Sequence, residues 1–165
     1  LPLEFPPPTL RGVLASYAGL EHRLERAGTI EGIEFVNDSK ATNVASMEVA
    51  LASFEHPVVL IAGGRDKGQD FAPGRAAVAR GAAHLVLIGE GAAPMAHAFS
   101  GLSQERAGTL DEAVTLAFQA ARQRGLSTVL LSPGCASFDM FRDYEDRGRR
   151  FKDEVAKLKL KEAHA

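Results

Sequence analysis

The chain has 165 residues and a mass of 17.6 kDa, is 45% hydrophobic and 24% charged, and carries a formal net charge of -2 with a pI ≈ 6.2. That is one domain by length, able to bury roughly 68–70% of its unfolded surface without a disulfide or a metal, and its composition excludes disorder and low complexity. The slight negative charge supplies no general attraction for nucleic acid or anionic lipid, the longest apolar run (Val58 to Ala62) is far too short to span a bilayer, and the lone cysteine, Cys135, suits a reducing cytosol. The expectation is a cytoplasmic monomer that engages neither nucleic acid nor membrane.

The opening stretch Leu1-Pro2-Leu3-Glu4-Phe5-Pro6-Pro7-Pro8 has no basic or apolar region of a signal peptide and no initiator methionine, so it reads as trimmed or as a piece of a longer chain. Residues 1–18 are taken as a linker or the remnant of a preceding domain, with stiff Pro6–Pro8 and a short helix over Thr9–Tyr17 capped by Thr9. Arg23–Ala27 and Ile33–Asn37 predict an antiparallel strand pair joined by a turn at Thr29–Gly32. Val44, Met47, Leu51 and Phe54 then fall at helical spacing. Val58–Ala62, ended by Gly63-Gly64, is the continuous apolar run of a strand buried on both faces, which belongs to a parallel sheet.

The cycle repeats with a helix near Gly74–Arg80, a strand at His84–Ile88, a short helix at Ala92–Phe99 and a weaker strand at Glu105–Gly108. Thr109-Leu110-Asp111-Glu112 has the form of a capping box and starts a helix carrying Val114, Ala117, Phe118 and Ala121. Thr128–Leu131 is the last buried strand, and a closing helix carries Phe141, Tyr144, Gly148, Phe151, Val155 and Leu158. Strands alternating with helices predict an α/β fold, a Rossmann-like doubly wound and mostly parallel sheet of about six strands, one of them antiparallel at the edge, flanked by helices. It occupies a single domain over residues 19–160, with 161–165 as a tail.

In such sheets ligands bind outside the carboxyl ends of the strands. Three polar segments leave those ends: Asn37-Asp38-Ser39-Lys40-Ala41-Thr42-Asn43, Gly63-Gly64-Arg65-Asp66-Lys67-Gly68-Gln69-Asp70, and Ser132-Pro133-Gly134-Cys135-Ala136-Ser137-Phe138-Asp139. Lys40 and Lys67 are point charges, the glycines allow close backbone approach, and the third segment is expected to open a helix whose free N–H groups favour a carboxylate or phosphate. Two lysines and a helix end suit a small, multiply anionic ligand. Each segment taken alone is also what an ordinary helix cap or solvated loop looks like. Cys135 reads as a bystander thiol, His22 as a packing or hydrogen-bonding residue, and Arg147, Arg149, Arg150 and Lys152 as a solvated helix face.

Those three segments, preceded by Gly19-Leu20-Glu21-His22-Arg23-Leu24-Glu25 and followed by Arg147-Gly148 and Phe151-Lys152, stand in an order that resembles the carboxy-terminal domain of the D-glutamate-adding Mur ligases, over about Gly19 to Lys157. The D-S-K-A-T-N stretch is the most specific part. The resemblance implies a three-domain, ATP-dependent ligase of peptidoglycan synthesis, whose absent amino-terminal and central domains bind the UDP-sugar and carry the phosphate-binding loop. ATP, with Mg²⁺, phosphorylates the L-alanine carboxylate of UDP-N-acetylmuramoyl-L-alanine, the D-glutamate amine attacks the acyl phosphate, and phosphate leaves. The resemblance places Thr42, Lys67, Ser137, the backbone at Phe138 and the Tyr144 ring on D-glutamate. It places Arg23, Asp38 and Lys40 on the nucleotide and the reacting phosphate, with Lys40 as the catalytic group. No G-x-x-x-x-G-K-[ST] occurs, and no acidic or histidine cluster that would hold Mg²⁺ is evident, so the chain alone is expected to hold no cofactor tightly and not to ligate. Two other readings stand beside this one: a nucleotide- or dinucleotide-binding module resting on Gly89-Glu90-Gly91, and a non-enzymatic binding module of the same fold.

Overall fold

Apolar residues on alternate sides of each central strand dictate a sheet covered on both faces. The computed structural model describes residues 19–164. In it, β1 (Glu25–Ile30), β2 (Ile33–Asn37), β3 (Val58–Gly63), β4 (Ala82–Ile88), β5 (Gln104–Arg106) and β6 (Thr128–Leu131) form one six-stranded sheet in the order β1-β2-β6-β3-β4-β5. The β1–β2 edge pair is antiparallel and every other pairing is parallel, as expected from the sequence. The helices are α1 (Val44–Leu51), α2 (Arg75–Gly81), α3 (Ala92–Ala98), α4 (Leu110–Arg124) and α5 (Tyr144–Glu162).

β3 shows why the layers form. Val58, Leu60 and Ala62 face α1, α2 and α3 together with Met47, Val78 and Met95. Val59 and Ile61 face α4 and α5 together with Phe118, Phe151 and Val155. The two apolar faces of one strand therefore assign the five helices to opposite sides of the sheet, which is what a continuous apolar run requires.

The strand order places the crevice. From β3 the chain proceeds outward through β4 and β5, then returns to insert β6 between β2 and β3. β3 hands the chain to α2 on one face and β6 hands it to α5 on the other, so the segments after these neighbouring strands separate at their carboxyl ends. This is a topological switch point, and the segment after β2 lies beside it.

Several boundaries differ from the sequence reading. β1 begins at Glu25, which leaves Arg23 in the preceding loop, and the hairpin turn is only Glu31-Gly32, with φ of 49 and 81. Positive φ at both central residues matches the twist of a two-residue hairpin, which favours glycine there. Phe54 lies beyond the end of α1 yet packs against the same apolar cluster. α5 starts at Tyr144 because Asp143 is extended and accepts a hydrogen bond from Asp146 N; it runs to Glu162, two residues into the stretch read as a tail. The helix expected over Thr9–Tyr17 lies outside the described residues.

Candidate functional site

The three polar segments are tied together by hydrogen bonds between their backbones. Gly134 N donates to Ala41 O (2.9 Å), Gly63 N to Pro133 O (2.8 Å) and Arg65 N to Ala136 O (2.8 Å). Gln69 Nε2 adds a bond to Gly134 O at 2.8 Å. Side chains that sequence alone spaces up to about a hundred residues apart are thus held on one scaffold.

The anchor of that scaffold is a residue read from sequence as part of a solvated face. Arg147 is wholly buried. Its Nε donates to Ser39 Oγ (2.9 Å), Nη2 to Ser39 O (2.8 Å), and Nη1 to Cys135 O (3.1 Å) and Ala136 O (3.3 Å). Burial holds its pKa down to about 10, partly offset by attraction to Cys135 and Asp139. It stays charged at neutral pH, but its four acceptors are all carbonyl or hydroxyl oxygens rather than a carboxylate. Arg149 and Arg150, by contrast, are exposed and pair with acidic residues on their own helix, as a solvated face should.

The first segment carries two distinct surfaces. Asp38 is 5% exposed and accepts bonds from Ser132 Oγ (2.9 Å) and Leu24 N (3.4 Å). Burial raises its carboxyl above the ordinary range despite these bonds and despite Arg23 nearby. Arg23, Asp38 and Lys40 line one cleft of about 320 Å³ together with Leu24, Ala41, Ala45, Ser46, Val49 and Ala50. The three residues expected at the nucleotide are therefore adjacent, beside a mostly apolar lining that suits a flat ring. Arg23 itself sits between His22 (φ 63) and Leu24 (φ 45), two residues in left-handed backbone that elsewhere disfavours side chains.

A buried acid whose pKa is raised binds its proton more tightly in the folded state, so its ionisation lowers stability as pH rises from 3.8 through the folded value. Asp38→Asn is accordingly expected to melt higher than the parent at about pH 7, with the difference vanishing below the ordinary aspartate value. Thermal melts at both pH values check this. An equal shift at both, or a lower melting temperature at neutral pH, contradicts it.

The residues expected on D-glutamate lie on the same three segments and at the first residue of α5. Lys40 Nζ stands 5.5 Å from the Tyr144 ring centre, and Lys67 Nζ stands 5.8 Å from that of Phe138, whose side chain is 62% exposed. Thr42 is half-buried and Ser137 is 2% exposed. None of Thr42, Lys67, Ser137, Phe138 and Tyr144 lines the cleft of Arg23 and Asp38, whereas Lys40 both lines that cleft and stands beside the Tyr144 ring.

One expectation about this side is corrected. The third segment does not open a helix, because Ser137–Phe141 is a single turn in which Met140 N and Phe141 N both donate to Ser137 O (3.2 and 2.9 Å). The amino end of α5 lies further on, and its carboxylates Asp143 and Asp146 already accept the free N–H groups of Asp146 and Arg142. Among the described residues, the amides of Ser137, Phe138 and Asp139 donate to no protein acceptor. Successive free amides in a turn make an anion-binding concavity much as a helix end does.

Other features find protein partners. Cys135 is fully buried and burial pushes its thiol up to about 12, which leaves no thiolate at neutral pH and supports a bystander. His22 is 3% exposed, with Nδ1 against Asn37 Nδ2 at 3.0 Å. The structure does bring Glu21, His22 and Glu25 together, a cluster the sequence reading did not find. Lys152 Nζ lies 2.8 Å from Glu21 Oε1 and 2.9 Å from Glu25 Oε1, so an ammonium holds both carboxylates and the group does not fit a divalent ion. In Gly89-Glu90-Gly91, Gly91 N donates to Gly64 O (2.7 Å) and Glu90 N to Asp139 Oδ2 (3.0 Å). Those amides are taken by the protein itself, which disfavours a pyrophosphate there.

The switch-point crevice, with basic residues and free amides on its rim, defines the class: an open α/β domain whose polar segments gather at the carboxyl ends of its strands. A family model described as Mur ligase, glutamate ligase domain, matches residues 22–135, and the chain belongs to that family. It is 50% identical over 153 residues to the UDP-N-acetylmuramoylalanine--D-glutamate ligase of Chlorobaculum tepidum, covering 92% of this chain and 32% of that protein. The chain thus spans about a third of the length of such relatives. The fold is shared with MurF from Acinetobacter baumannii (TM-score 0.59, 14% identity, 94% of this chain and 34% of that one). It is also shared with a folylpolyglutamate synthase of Mycobacterium tuberculosis complexed with ADP (TM-score 0.58, 15% identity, 82% and 32%). No helix among the described residues is long and apolar enough to cross a membrane.

Proposed function

We propose that residues 19–160 are the carboxy-terminal, D-glutamate-presenting domain of a cytoplasmic ATP-dependent ligase, which joins D-glutamate to UDP-N-acetylmuramoyl-L-alanine in peptidoglycan synthesis. The observation that carries this reading is 50% identity to a ligase of that name across 92% of the chain. Residues 1–18 are the link to the preceding domains and the last residues a tail. The active unit is a monomer.

In this reading Lys67 and Thr42 hold one carboxylate of D-glutamate. Ser137 and the free amide of Phe138 hold the other, while the Tyr144 ring closes the pocket beside Lys40. Fixed donors aimed at two carboxylates discriminate by geometry as well as charge, because only one enantiomer then points its amine at the acyl carbon. Arg23 and Asp38 face the nucleotide across the cleft. Lys40, at the junction of the two surfaces, offsets charge on the phosphate as the amine attacks the acyl phosphate, the C–N bond forms and phosphate departs. ATP and Mg²⁺ belong to the full enzyme. The carboxylates of Glu21 and Glu25 are held by Lys152, so the metal's ligands are expected from outside the described residues.

The chain alone is expected to bind without ligating. The test is ADP release by the full-length ligase containing this domain, with UDP-N-acetylmuramoyl-L-alanine and either glutamate enantiomer. Turnover that requires the D-isomer supports the reading; turnover with the L-isomer at an equal rate, or with neither, overturns it.

A further inference from the structure

A site assembled from separate strand ends needs something to fix its parts in register, and the ligand-facing residues do not do this themselves. Lys40 and Lys67 are exposed, and each rests on an aromatic ring. The segment carrying Lys40 and Thr42 meets the segment carrying Ser137 and Phe138 through one backbone bond, Gly134 N to Ala41 O (2.9 Å), through Ser132 Oγ to Asp38 Oδ2 (2.9 Å), and through Arg147. The guanidinium supplies four of the links, two to Ser39 and one each to Cys135 O and Ala136 O. Ser39 Oγ in turn donates to Tyr144 O at 2.7 Å, which ties in the start of α5. Ala136 O also accepts from Arg65 N, so the segment carrying Lys67 is joined to the same point.

We propose that Arg147 is a positioning residue for the D-glutamate site: its buried guanidinium clasps the Ser39–Thr42 segment, through Ser39, to the Cys135–Phe138 segment, so that donors from separate strands form one prearranged surface. The proposal rests on the reading that this surface takes D-glutamate. A flat fork with donors in fixed directions can meet Ser39 and two successive carbonyls at once, whereas a lysine ammonium keeps the charge and loses the fork. The neighbouring Gly148 supports the same segment from behind. A Cβ there would collide with the His22 ring, and His22 O accepts the amide of Lys40 at 3.0 Å.

The test uses the full-length ligase with Arg147→Lys and, because a buried arginine can be needed for folding, Ser39→Ala, which keeps Arg147 and its bond to Ser39 O but removes the Arg147 Nε link and the bond from Ser39 Oγ to Tyr144 O. Both variants are expected to raise the KM for D-glutamate about tenfold or more while kcat and the KM for the UDP-sugar stay within about threefold, since the clasp orders the ground-state site and touches no reacting atom. The double variant is expected to be no worse than the poorer single one, because the two residues form one clasp. Hydrogen exchange of the free enzyme supplies a ligand-independent readout: the hydrogen-bonded amides of Lys40–Thr42, Gly134, Met140 and Phe141 lose protection together, while those of Val58–Gly63 do not change. Lower thermal stability with an unchanged KM for D-glutamate in the folded enzyme overturns the clasp and leaves the site reading intact. A parent enzyme that D-glutamate does not saturate overturns that reading, and the clasp with it. Should Arg147→Lys not fold, Ser39→Ala decides alone.

Discussion

Gly64→Ala is expected to lose about 2–6 kcal/mol of folding stability, a large share of the roughly 5–15 kcal/mol that holds a typical domain folded. Gly64 has φ +131, where side chains are strained whatever the space, and an added Cβ would collide with Ala136 O while lying 3.1 Å from Arg147 Nη1 and 3.3 Å from Cys135 Cβ. Backbone strain of this kind costs roughly 1–3 kcal/mol, and overpacking a tight interior costs roughly 1–3 kcal/mol more. The neighbour cannot yield cheaply, because Ala136 O accepts from both Arg65 N and Arg147 Nη1 and moving it strains both bonds. Gly68→Ala is the matched control: φ is +72, but nothing lies within 4 Å, so only the conformational cost of about 1 kcal/mol applies. Urea unfolding of the two variants separates the contributions. Equal losses would mean that the packing of the strand-end segments around Gly64 is not as tight as described.

Lys67→Ala carries the second large effect, this time on function. Lys67 is exposed beside an Asx turn in which Gly68 N donates to Asp66 Oδ1 at 2.8 Å, so its ammonium contributes little to folding and is free to meet an anion. A hydrogen bond to a charged group is worth about 1.5–3 kcal/mol, which corresponds to a rise of about 10–150-fold in the KM for D-glutamate in the full-length ligase, with the melting temperature unchanged. Ser137→Ala is expected to act in the same direction with a smaller effect, since its hydroxyl is neutral. Arg150→Ala is the control. Its side chain is 57% exposed, pairs with Asp146 and stands over Phe141, and its removal should leave the KM within about twofold. Equal rises from Lys67→Ala and Arg150→Ala would mean that net charge, not a site, attracts the substrate.

The sheet was legible because its signals are local. Val58–Ala62 and Val129–Leu131 are apolar without interruption, and Thr109 and Asn43 cap the helices that follow them by accepting from Glu112 N and Ser46 N. The parallel order and the antiparallel edge follow from such elements taken in turn. What sequence could not show is what a given helical face meets. Arg147 lies beside Asp146, Arg149 and Arg150 in the sequence, and a run of charges on an amphipathic helix normally faces water. Only the return of β6 to the middle of the sheet brings Ser39, Cys135 and Ala136 around that one guanidinium. The signal that was present is positional: Arg147 lies four residues before Phe151 and eight before Val155, on their buried stripe.

The same reasoning explains the misplaced helix end. Ser137-Phe138-Asp139 after a strand reads as an N-terminus, but Asp143 offers a better cap six residues later, and the intervening chain makes one isolated turn. The free amides there belong to the turn rather than to a helix. Lys152 was likewise assigned to a solvated face, yet it bridges Glu21 and Glu25 from the far end of the chain, a pairing that no sequence spacing announces.

The measurement that tests the central claim most directly is an amide NMR titration of this 165-residue chain with D-glutamate, repeated with L-glutamate. The account predicts saturable shifts at Thr42, Lys67, Ser137 and Phe138 with the D-isomer, much smaller ones with the L-isomer, and none at Arg150. Equal responses to the two enantiomers, saturable shifts centred elsewhere, or no shift at those four residues would contradict a D-glutamate site formed within this domain.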